Sequence, residues 1–164
     1  MASHRRHDLL DAGTRAPDFK LARLDGGEVT LADILSLGPA VLAFFKITCP
    51  ICQMTFPFLE RIHAAGGAAL PFYGISQNDA RDTRDFARQF GVTFPMLLDS
   101  EDDDFPASNA YGISSVPTLF VVERGGVISL VTEGWARRDI VAIGERAGVN
   151  PLRPSDNVPD WKAG

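Results

Sequence analysis

Cys49 and Cys52 are the only cysteines of this chain, and they stand three positions apart in KITCPICQMTF, residues 46–56. Two thiols at this spacing can supply half of a metal site, pack as inert core residues, or form a reversible disulfide. The third use is redox chemistry, because closing the disulfide removes two electrons and two protons from the pair. The flanking sequence must distinguish these three interpretations.

An apolar strand and a helix are predicted on either side of the pair. The run AVLAFFKI, residues 40–47, is almost continuously apolar, which is typical of a central strand buried on both faces. Pro50 is favoured in the first turn of a helix. After it, apolar residues recur at helical spacing: Met54, Phe58, Leu59 and Ile62. Cys49 is therefore expected just before the helix and Cys52 one turn inside it, where the two side chains can bond.

This position favours redox chemistry over metal binding. Unpaired backbone N–H groups and the helix dipole stabilise negative charge at the start of a helix, so Cys49 would be the attacking thiolate. Cys52 would then resolve the mixed disulfide. A structural zinc site needs four ligands, and the chain offers no second cysteine pair. We therefore expect no metal and no cofactor other than the cysteine pair itself.

A second motif supports the redox interpretation. In GISSVPTLF, residues 112–120, Pro117 follows Val116 at the start of a predicted apolar strand, where proline is tolerated. A cis Val116–Pro117 bond would make a tight, fixed loop at this point.

Strands and helices alternate along the rest of the chain. Residues 16–34 predict two short strands around a Gly-Gly turn, and residues 117–134 predict a hairpin that turns at Arg124-Gly125-Gly126. Helices are predicted between these hairpins and after the second one. The pattern indicates an α/β fold with a central mixed β-sheet flanked by helices and an N-terminal β-hairpin extension.

The predicted domain limits leave a tail at each end. Residues 1–15 are expected to be an N-terminal tail, residues 16–148 one domain, and residues 149–164 a C-terminal tail containing three prolines. The tail also contains Trp161, which could dock on the domain or contact a partner. The sequence DSEDDDF, residues 99–105, is expected to be a solvated acidic loop, because it lacks the glycine and terminal glutamate of a calcium loop.

Length and charge narrow the class of protein. The chain has 164 residues, enough for one domain with a substantial core, and a formal net charge of −5. A nucleic-acid-binding surface would need clustered Lys and Arg, so we expect no nucleic acid as a partner. The basic stretch at residues 3–7 is expected to be a solvated tail.

The expected location is the cytoplasm. No run of about 18 apolar residues is present, so we expect no membrane-spanning segment. The residues after Met1 include no apolar stretch of the kind that a secretory signal needs. A periplasmic location would follow if a signal had been trimmed from a longer precursor.

The order of these motifs resembles the thioredoxin superfamily, and more narrowly its TlpA/ResA-like branch within the AhpC/TSA (peroxiredoxin-related) group. The residues that carry the resemblance are Ala16-Pro17-Asp18-Phe19, Gly26-Gly27, Cys49-Pro50-Ile51-Cys52 and YGISSVPTLFVVERGGVI, residues 111–128. It implies a thioredoxin fold in which Cys49 attacks a substrate disulfide and Cys52 resolves it. It also implies a cis Pro117, with the Val116 backbone docking the substrate. The implied partners are a protein or small-molecule disulfide and an upstream electron donor.

The chain departs from the family at several positions. Thr48 replaces the usual Trp before the first cysteine, Ala43 replaces a buried Asp of many thioredoxins, and Thr55 replaces a Glu of ResA-like proteins. These departures leave the proton acceptor of Cys52 unassigned, with Glu60 and Lys46 nominated only by their nearness in sequence. The residues expected to tune the pair are Lys46, Thr48, Pro50 and Ile51.

Two other functions stay open at this point. Peroxiredoxins have the pattern P-x-x-x-T-x-x-C, whereas Thr48 here directly precedes Cys49 and Pro39 is too far back. A thiol peroxidase would also need an arginine near the thiolate, for which Arg137 can be proposed. A non-catalytic binding module would keep the fold without a reactive thiolate. Disulfide reduction is the leading hypothesis.

Overall fold

The computed structural model describes residues 8–164. The basic stretch at residues 3–7 lies outside the described residues. The strands are β1 (Lys20–Arg23), β2 (Glu28–Thr30), β3 (Ala40–Phe45), β4 (Phe72–Ser76), β5 (Met96–Leu98), β6 (Thr118–Val122), β7 (Ile128–Glu133), β8 (Trp135–Ala136) and β9 (Trp161–Lys162). The helices are α1 (Leu31–Leu35), α2 (Pro50–Gly66), α3 (Ala80–Phe90), α4 (Pro106–Tyr111) and α5 (Arg137–Arg146), with a 3-10 turn at Glu101–Asp103.

Seven strands form one mixed sheet in the order β2-β1-β5-β4-β3-β6-β7. Strand β4 runs parallel to both β3 and β5, whereas β6 is antiparallel to β3 and to β7. The hairpin of β1 and β2 joins the sheet through an antiparallel pairing of β1 with β5. The predicted mixed sheet flanked by helices, with an N-terminal hairpin, is confirmed.

Strand β3 lies inside the sheet and all six of its residues are buried. Successive side chains of a strand point to opposite faces, so β3 contributes to two separate cores. The side chains on the face covered by α2, α3 and α5 are those of Val41, Ala43 and Phe45. Those on the face covered by α1 and α4 are Ala40, Leu42 and Phe44. The strand that leads to the cysteines is therefore fixed from both sides.

Local capping explains where the helices begin and end. Helix α3 begins after Asp79, whose side chain accepts a hydrogen bond from the Asp82 N–H, and it ends at Gly91 in the left-handed conformation with φ 67°. Helix α1, which the sequence analysis did not identify, has a capping box between Thr30 and Asp33. At five residues it is too short to produce a clear helical periodicity.

Both predicted tails lie against the domain over the described residues. Leu9 and Leu10 pack on the core beneath α1 and α4, and Arg15 forms an isolated antiparallel bridge with Val127. At the other end, residues 149–160 cross the domain and lead into β9, which pairs with β8. The tail containing Trp161 therefore docks on the domain.

The acidic loop differs from its prediction at one residue. Asp99 is fully buried, and its carboxylate accepts hydrogen bonds from the backbone N–H groups of Ala107 and Ser108 at the start of α4. A buried carboxylate is satisfied by such donors. The four acidic residues at 101–104 are exposed, as expected of a solvated loop.

Candidate active site

Cys49 lies at the N-terminus of α2 and serves as its N-cap residue. Its Sγ accepts a hydrogen bond from the Cys52 backbone N–H at 3.1 Å. The side chain is half-buried, so one side of the sulfur can be reached from solvent. An N–H donor and the positive end of a helix both favour a negative charge on this sulfur. Cys49 therefore has the exposure and the local field of an attacking thiol.

Cys52 lies one turn inside the same helix and is fully buried. Burial raises the pKa of the Cys52 thiol far above its ordinary value, and the hydrogen bond with Cys49 raises it further. Cys52 is thus a neutral thiol at physiological pH. Both cysteines are free thiols in this structure, which corresponds to the reduced state of the pair.

The loop before β6 lies directly against Cys49. The Cys49 Sγ is 3.3 Å from the Val116 carbonyl oxygen, to which the thiol donates. The Val116–Pro117 peptide bond is cis, Pro117 is buried and Val116 is half-buried. Residues 67 positions apart in the chain are thus brought together. The Val116 carbonyl therefore lies directly beside the sulfur of Cys49.

Two amide side chains position the loop between β3 and α2, and the sequence analysis missed both. The Asn78 Oδ1 accepts a hydrogen bond from the Ile47 N–H at 3.0 Å, and the Gln53 Nε2 donates to the Ile47 carbonyl at 2.9 Å. Both backbone groups of Ile47 are therefore bonded to side chains. This fixes the residues immediately before Cys49. No local pattern identifies Asn78, because its partner lies 31 residues away.

The four residues predicted to tune the pair flank the cysteines in the sequence and differ in their exposure to solvent. Lys46, Thr48 and Pro50 are exposed, and Ile51 is half-buried. Lys46 lines a small cleft of about 90 Å³ together with Val116 and Ser115. The cleft borders the loop before β6, so Lys46 lies beside the residues that contact Cys49.

Neither Glu60 nor Thr55 has the features of a proton acceptor for Cys52. The Glu60 carboxylate accepts hydrogen bonds from the backbone N–H and the hydroxyl of Thr93, at the loop before β5. The nomination of Glu60 by sequence proximity is therefore not supported. Thr55 is fully buried one turn after Cys52, and within residues 8–164 its hydroxyl has no hydrogen-bond partner. A hydroxyl oxygen is too weak a base to take a proton from a thiol.

Other concave surfaces are separate from the cysteines. A cavity of about 700 Å³ lies between α1, the segment Arg15–Asp18 and the turn Arg124–Gly126, and it shares no lining residue with the site. In the part of the chain that the structure describes, no three His, Cys, Asp or Glu side chains are grouped as metal ligands would be. No helix in residues 8–164 is long and apolar enough to cross a membrane.

The fold and the cysteine pair define a class of proteins, the thioredoxin-like thiol–disulfide oxidoreductases. The sequence profile described as the AhpC/TSA family matches residues 12–131, which is more than half of the chain. The chain therefore belongs to the AhpC/TSA family.

Individual relatives agree with this assignment. The thiol-disulfide oxidoreductase ResA of Geobacillus thermodenitrificans is 30% identical over 130 residues, which cover 77% of this chain and 72% of ResA. A DsbE-type thiol:disulfide interchange protein from Chlorobium tepidum superimposes with a TM-score of 0.71 at 27% identity, covering 84% of this chain and 95% of that one. The thioredoxin domain of a thiol-disulfide oxidoreductase from Bacteroides vulgatus gives a TM-score of 0.74 at 22% identity, covering 84% and 97%. The predicted thioredoxin fold is confirmed.

These relatives overturn the expected cytoplasmic location. ResA proteins and DsbE-type proteins are typically anchored to a membrane or located outside the cytoplasm. The prediction of a cytoplasmic protein is therefore wrong. It rested on two absences, of a long apolar run and of a signal-like stretch after Met1, and such absences do not determine the compartment of a protein.

Proposed function

We propose that Cys49 and Cys52 are a redox-active pair that reduces disulfides through a mixed-disulfide intermediate. One observation carries the proposal: the half-buried Cys49 sulfur accepts the N–H of the buried Cys52 at the start of a helix. The arrangement gives the two thiols different reactivities. Only Cys49 is partly accessible, and its sulfur receives the N–H of Cys52 at the start of the helix.

The first step is the attack of the Cys49 thiolate on one sulfur of the substrate disulfide. A bond forms between Cys49 and that sulfur, and the substrate S–S bond breaks. The other substrate sulfur leaves as a thiolate and takes up a proton. The Cys52 N–H and the helix dipole stabilise the attacking charge. The Val116 backbone, next to the Cys49 sulfur, is the surface on which the substrate chain would dock.

The second step is the attack of Cys52 on the Cys49 sulfur. Once Cys49 is bonded to substrate, its thiol no longer pairs with Cys52, and one cause of the raised pKa of Cys52 is removed. Cys52 loses its proton, forms the 49–52 disulfide and releases the second substrate thiolate, which is protonated in turn. The substrate gains two electrons and two protons, and the cysteine pair loses them.

A new cycle requires an electron donor. A dithiol donor would attack the 49–52 disulfide by the same chemistry in the reverse sense and return both cysteines to the thiol form. The two electrons pass directly between thiols and disulfides in each half of the cycle, so the proposed reaction uses no metal and no bound cofactor. The proposed partners are accordingly a protein or small-molecule disulfide and an upstream thiol reductant.

The matched variants Cys49→Ser and Cys52→Ser test this order of events. With a small aromatic disulfide as substrate, Cys49→Ser should lose activity by at least about a thousandfold, because no other accessible thiol is present. Cys52→Ser should react once and stop as a mixed disulfide, visible as a covalent mass adduct on Cys49. Full activity in Cys49→Ser, or an adduct on Cys52 in the wild-type protein, would contradict the proposal.

The same preparations separate the two alternative functions. A thiol peroxidase would consume hydrogen peroxide at a rate that depends on Cys49 and would pass through a sulfenic acid. A binding module would show neither turnover nor a reactive thiolate at neutral pH. The guanidinium of Arg137, considered above as a partner for the thiolate, instead lies 3.7 Å from the Asp160 carboxylate. The structure therefore gives the peroxidase no added support.

A further inference from the structure

The segment of residues 149–160, which follows α5, is hydrogen-bonded to the domain at several points along its length. The Arg61 guanidinium donates to both carboxylate oxygens of Asp156, at 2.7 and 3.2 Å, and to the Pro151 carbonyl at 2.9 Å. Near the far end, the indole N–H of Trp135 donates to the Pro159 carbonyl at 2.7 Å. Trp135 itself is fully buried, so this contact ties the segment to the core.

Residues 161–164, here named the strap, are held much less firmly. All four are exposed, and Trp161 presents 62% of its surface to solvent. Their backbone pairs two residues of β9 with two residues of β8. A ladder of two residue pairs is marginal in water. The strap can therefore detach while the preceding segment, fastened as far as Pro159, stays in place.

The strap lies across the loop that adjoins Cys49. A Cβ placed on Gly164 would collide with the Val116 carbonyl oxygen and lie 3.2 Å from the Pro117 Cδ. A Cβ placed on Gly134 would collide with the Lys162 carbonyl oxygen and lie 3.0 Å from the Gly164 nitrogen. Backbone atoms of the strap are thus in close contact with the loop before β6 and with Gly134, between β7 and β8.

The same carbonyl is used by the proposed reaction. The Val116 oxygen, against which Gly164 lies, is 3.3 Å from the Cys49 sulfur. A polypeptide chain that docked along Val116 would need the space that the strap occupies, because two backbones cannot pack on one carbonyl. A small disulfide needs only the exposed side of the Cys49 sulfur. The strap therefore hinders the two kinds of substrate to different extents.

We propose that the strap determines substrate selectivity: it leaves Cys49 open to small disulfides and must be displaced before a disulfide within a polypeptide can dock. This inference rests on the proposed function and adds a substrate preference to it. The hinge is at Asp160, whose carbonyl accepts the Arg137 N–H at 2.9 Å. Displacement breaks the pairing of β9 with β8 and leaves the fastened segment intact.

Two substitutions in the full chain test the strap. Gly164→Ala adds a methyl group that would collide with the Val116 carbonyl, a backbone atom that cannot move aside easily. Lys162→Pro weakens the short ladder, because proline lacks an N–H and fixes φ. Gly125→Ala is the matched control, since a methyl at Gly125 meets nothing within 4 Å. Each variant is assayed for kcat/KM with insulin, a polypeptide disulfide, and with bis(2-hydroxyethyl) disulfide, a small one.

The selectivity ratio, insulin over the small disulfide, decides the outcome. We expect it to rise roughly five- to tenfold in both strap variants, the equivalent of one or two backbone hydrogen bonds that no longer compete with the substrate. Gly125→Ala should leave the ratio unchanged. A ratio that is unchanged in both strap variants, or that falls, contradicts the proposal that the strap determines substrate selectivity. If the wild-type protein reduces neither substrate, it is the proposed function that fails, so the two failures are distinguishable.

Discussion

The Cys52 backbone N–H points at the Cys49 sulfur across 3.1 Å, while the Cys52 side chain is fully buried behind it. One residue of the pair thus stabilises charge on the other through its backbone and keeps its own thiol out of solvent. The two cysteines differ in exposure because of their positions in α2. An N-cap residue lies at the boundary of the helix, whereas the residue three positions later faces the core.

Alkylation should be selective for one cysteine. In the native reduced protein at pH 7.5, iodoacetamide is expected to modify Cys49 at least about a hundred times faster than Cys52, because only Cys49 is accessible and the pKa of Cys52 is raised by burial. Peptide mass mapping after short exposures measures both rates. In urea the two rates should converge. Equal rates in the native protein would show that Cys52 is not buried.

Alkaline pH should destabilise the reduced protein through Cys52. The folded-state pKa of Cys52 is raised above its ordinary value of about 9, so above this pH the unfolded chain releases a proton that the native state keeps. The stability contributed by this group is complete below about pH 9 and falls as the pH rises, by at most about 1.4 kcal/mol per pH unit. Urea unfolding between about pH 8 and pH 10 measures the slope.

Cys52→Ala is the control for this slope. Burial also raises the pKa of Tyr111, with a smaller effect from Asp18, so part of the alkaline loss belongs to Tyr111. That part is common to both proteins and cancels in the comparison. The wild-type protein should lose stability more steeply than Cys52→Ala over this range. Parallel curves would show that Cys52 titrates normally in the folded state.

Two buried threonines should respond oppositely to the same substitution. Within residues 8–164 the Thr55 hydroxyl has no hydrogen-bond partner, whereas the Thr83 hydroxyl lies 2.6 Å from the Ser76 hydroxyl. Thr55→Val removes an unsatisfied polar group and should raise the free energy of unfolding by about 1–2 kcal/mol. Thr83→Val breaks a buried hydrogen bond and should lower it by about the same amount. Equal destabilisation in both variants would mean that Thr55 is hydrogen-bonded in solution.

The Arg61–Asp156 contact should govern the mobility of the C-terminal segment. Hydrogen bonds from the Arg61 side chain and from the Arg153 N–H hold the pKa of the Asp156 carboxyl below its usual range. The stability that this contact contributes is therefore complete above the usual pKa of an aspartate and is lost only as the pH falls through the lowered pKa. At pH 7, Asp156→Asn should accelerate amide hydrogen exchange in residues 149–160 by about tenfold or more.

A surface ion pair provides the comparison for this experiment. Lys20 and Glu28 lie 3.1 Å apart, but their side chains are 69% and 57% exposed. Glu28→Gln should leave exchange in residues 149–160 unchanged, because exposed pairs contribute little and this one is remote. If Asp156→Asn behaves like Glu28→Gln, the segment is held by its apolar contacts alone.

Much of the fold could be predicted because it depends on local patterns. The apolar run of β3, the proline at the start of α2 and the Asp79 and Gly91 caps of α3 each leave a signal within a few residues. Helix α1 was missed because five residues are too few to show periodicity. The pairing of β9 with β8 could not be predicted, because two-residue strands have no pattern of their own.

In the site, too, the residues with a local sequence signal could be predicted and those that depend on distant contacts could not. The cysteines and the Val116–Pro117 motif are recognisable from residue types and spacing, and the structure places them in contact. Gln53 and Asn78, which fix Ile47, look like ordinary polar residues in the sequence. Their role depends on a fold that brings distant residues together. Glu60 shows the opposite case, since nearness in the sequence suggested a role that its contact with Thr93 does not support.

The redox equilibrium of the cysteine pair tests the central claim most directly. The protein is equilibrated in dithiothreitol buffers of graded potential and its free thiols are then alkylated. Mass spectrometry measures the fractions of oxidised and reduced protein at each potential. We expect one two-electron transition, in which the ratio of oxidised to reduced protein changes tenfold for each 30 mV or so, and no such transition in Cys52→Ser. A wild-type protein whose two thiols stay reduced at every potential would contradict the account.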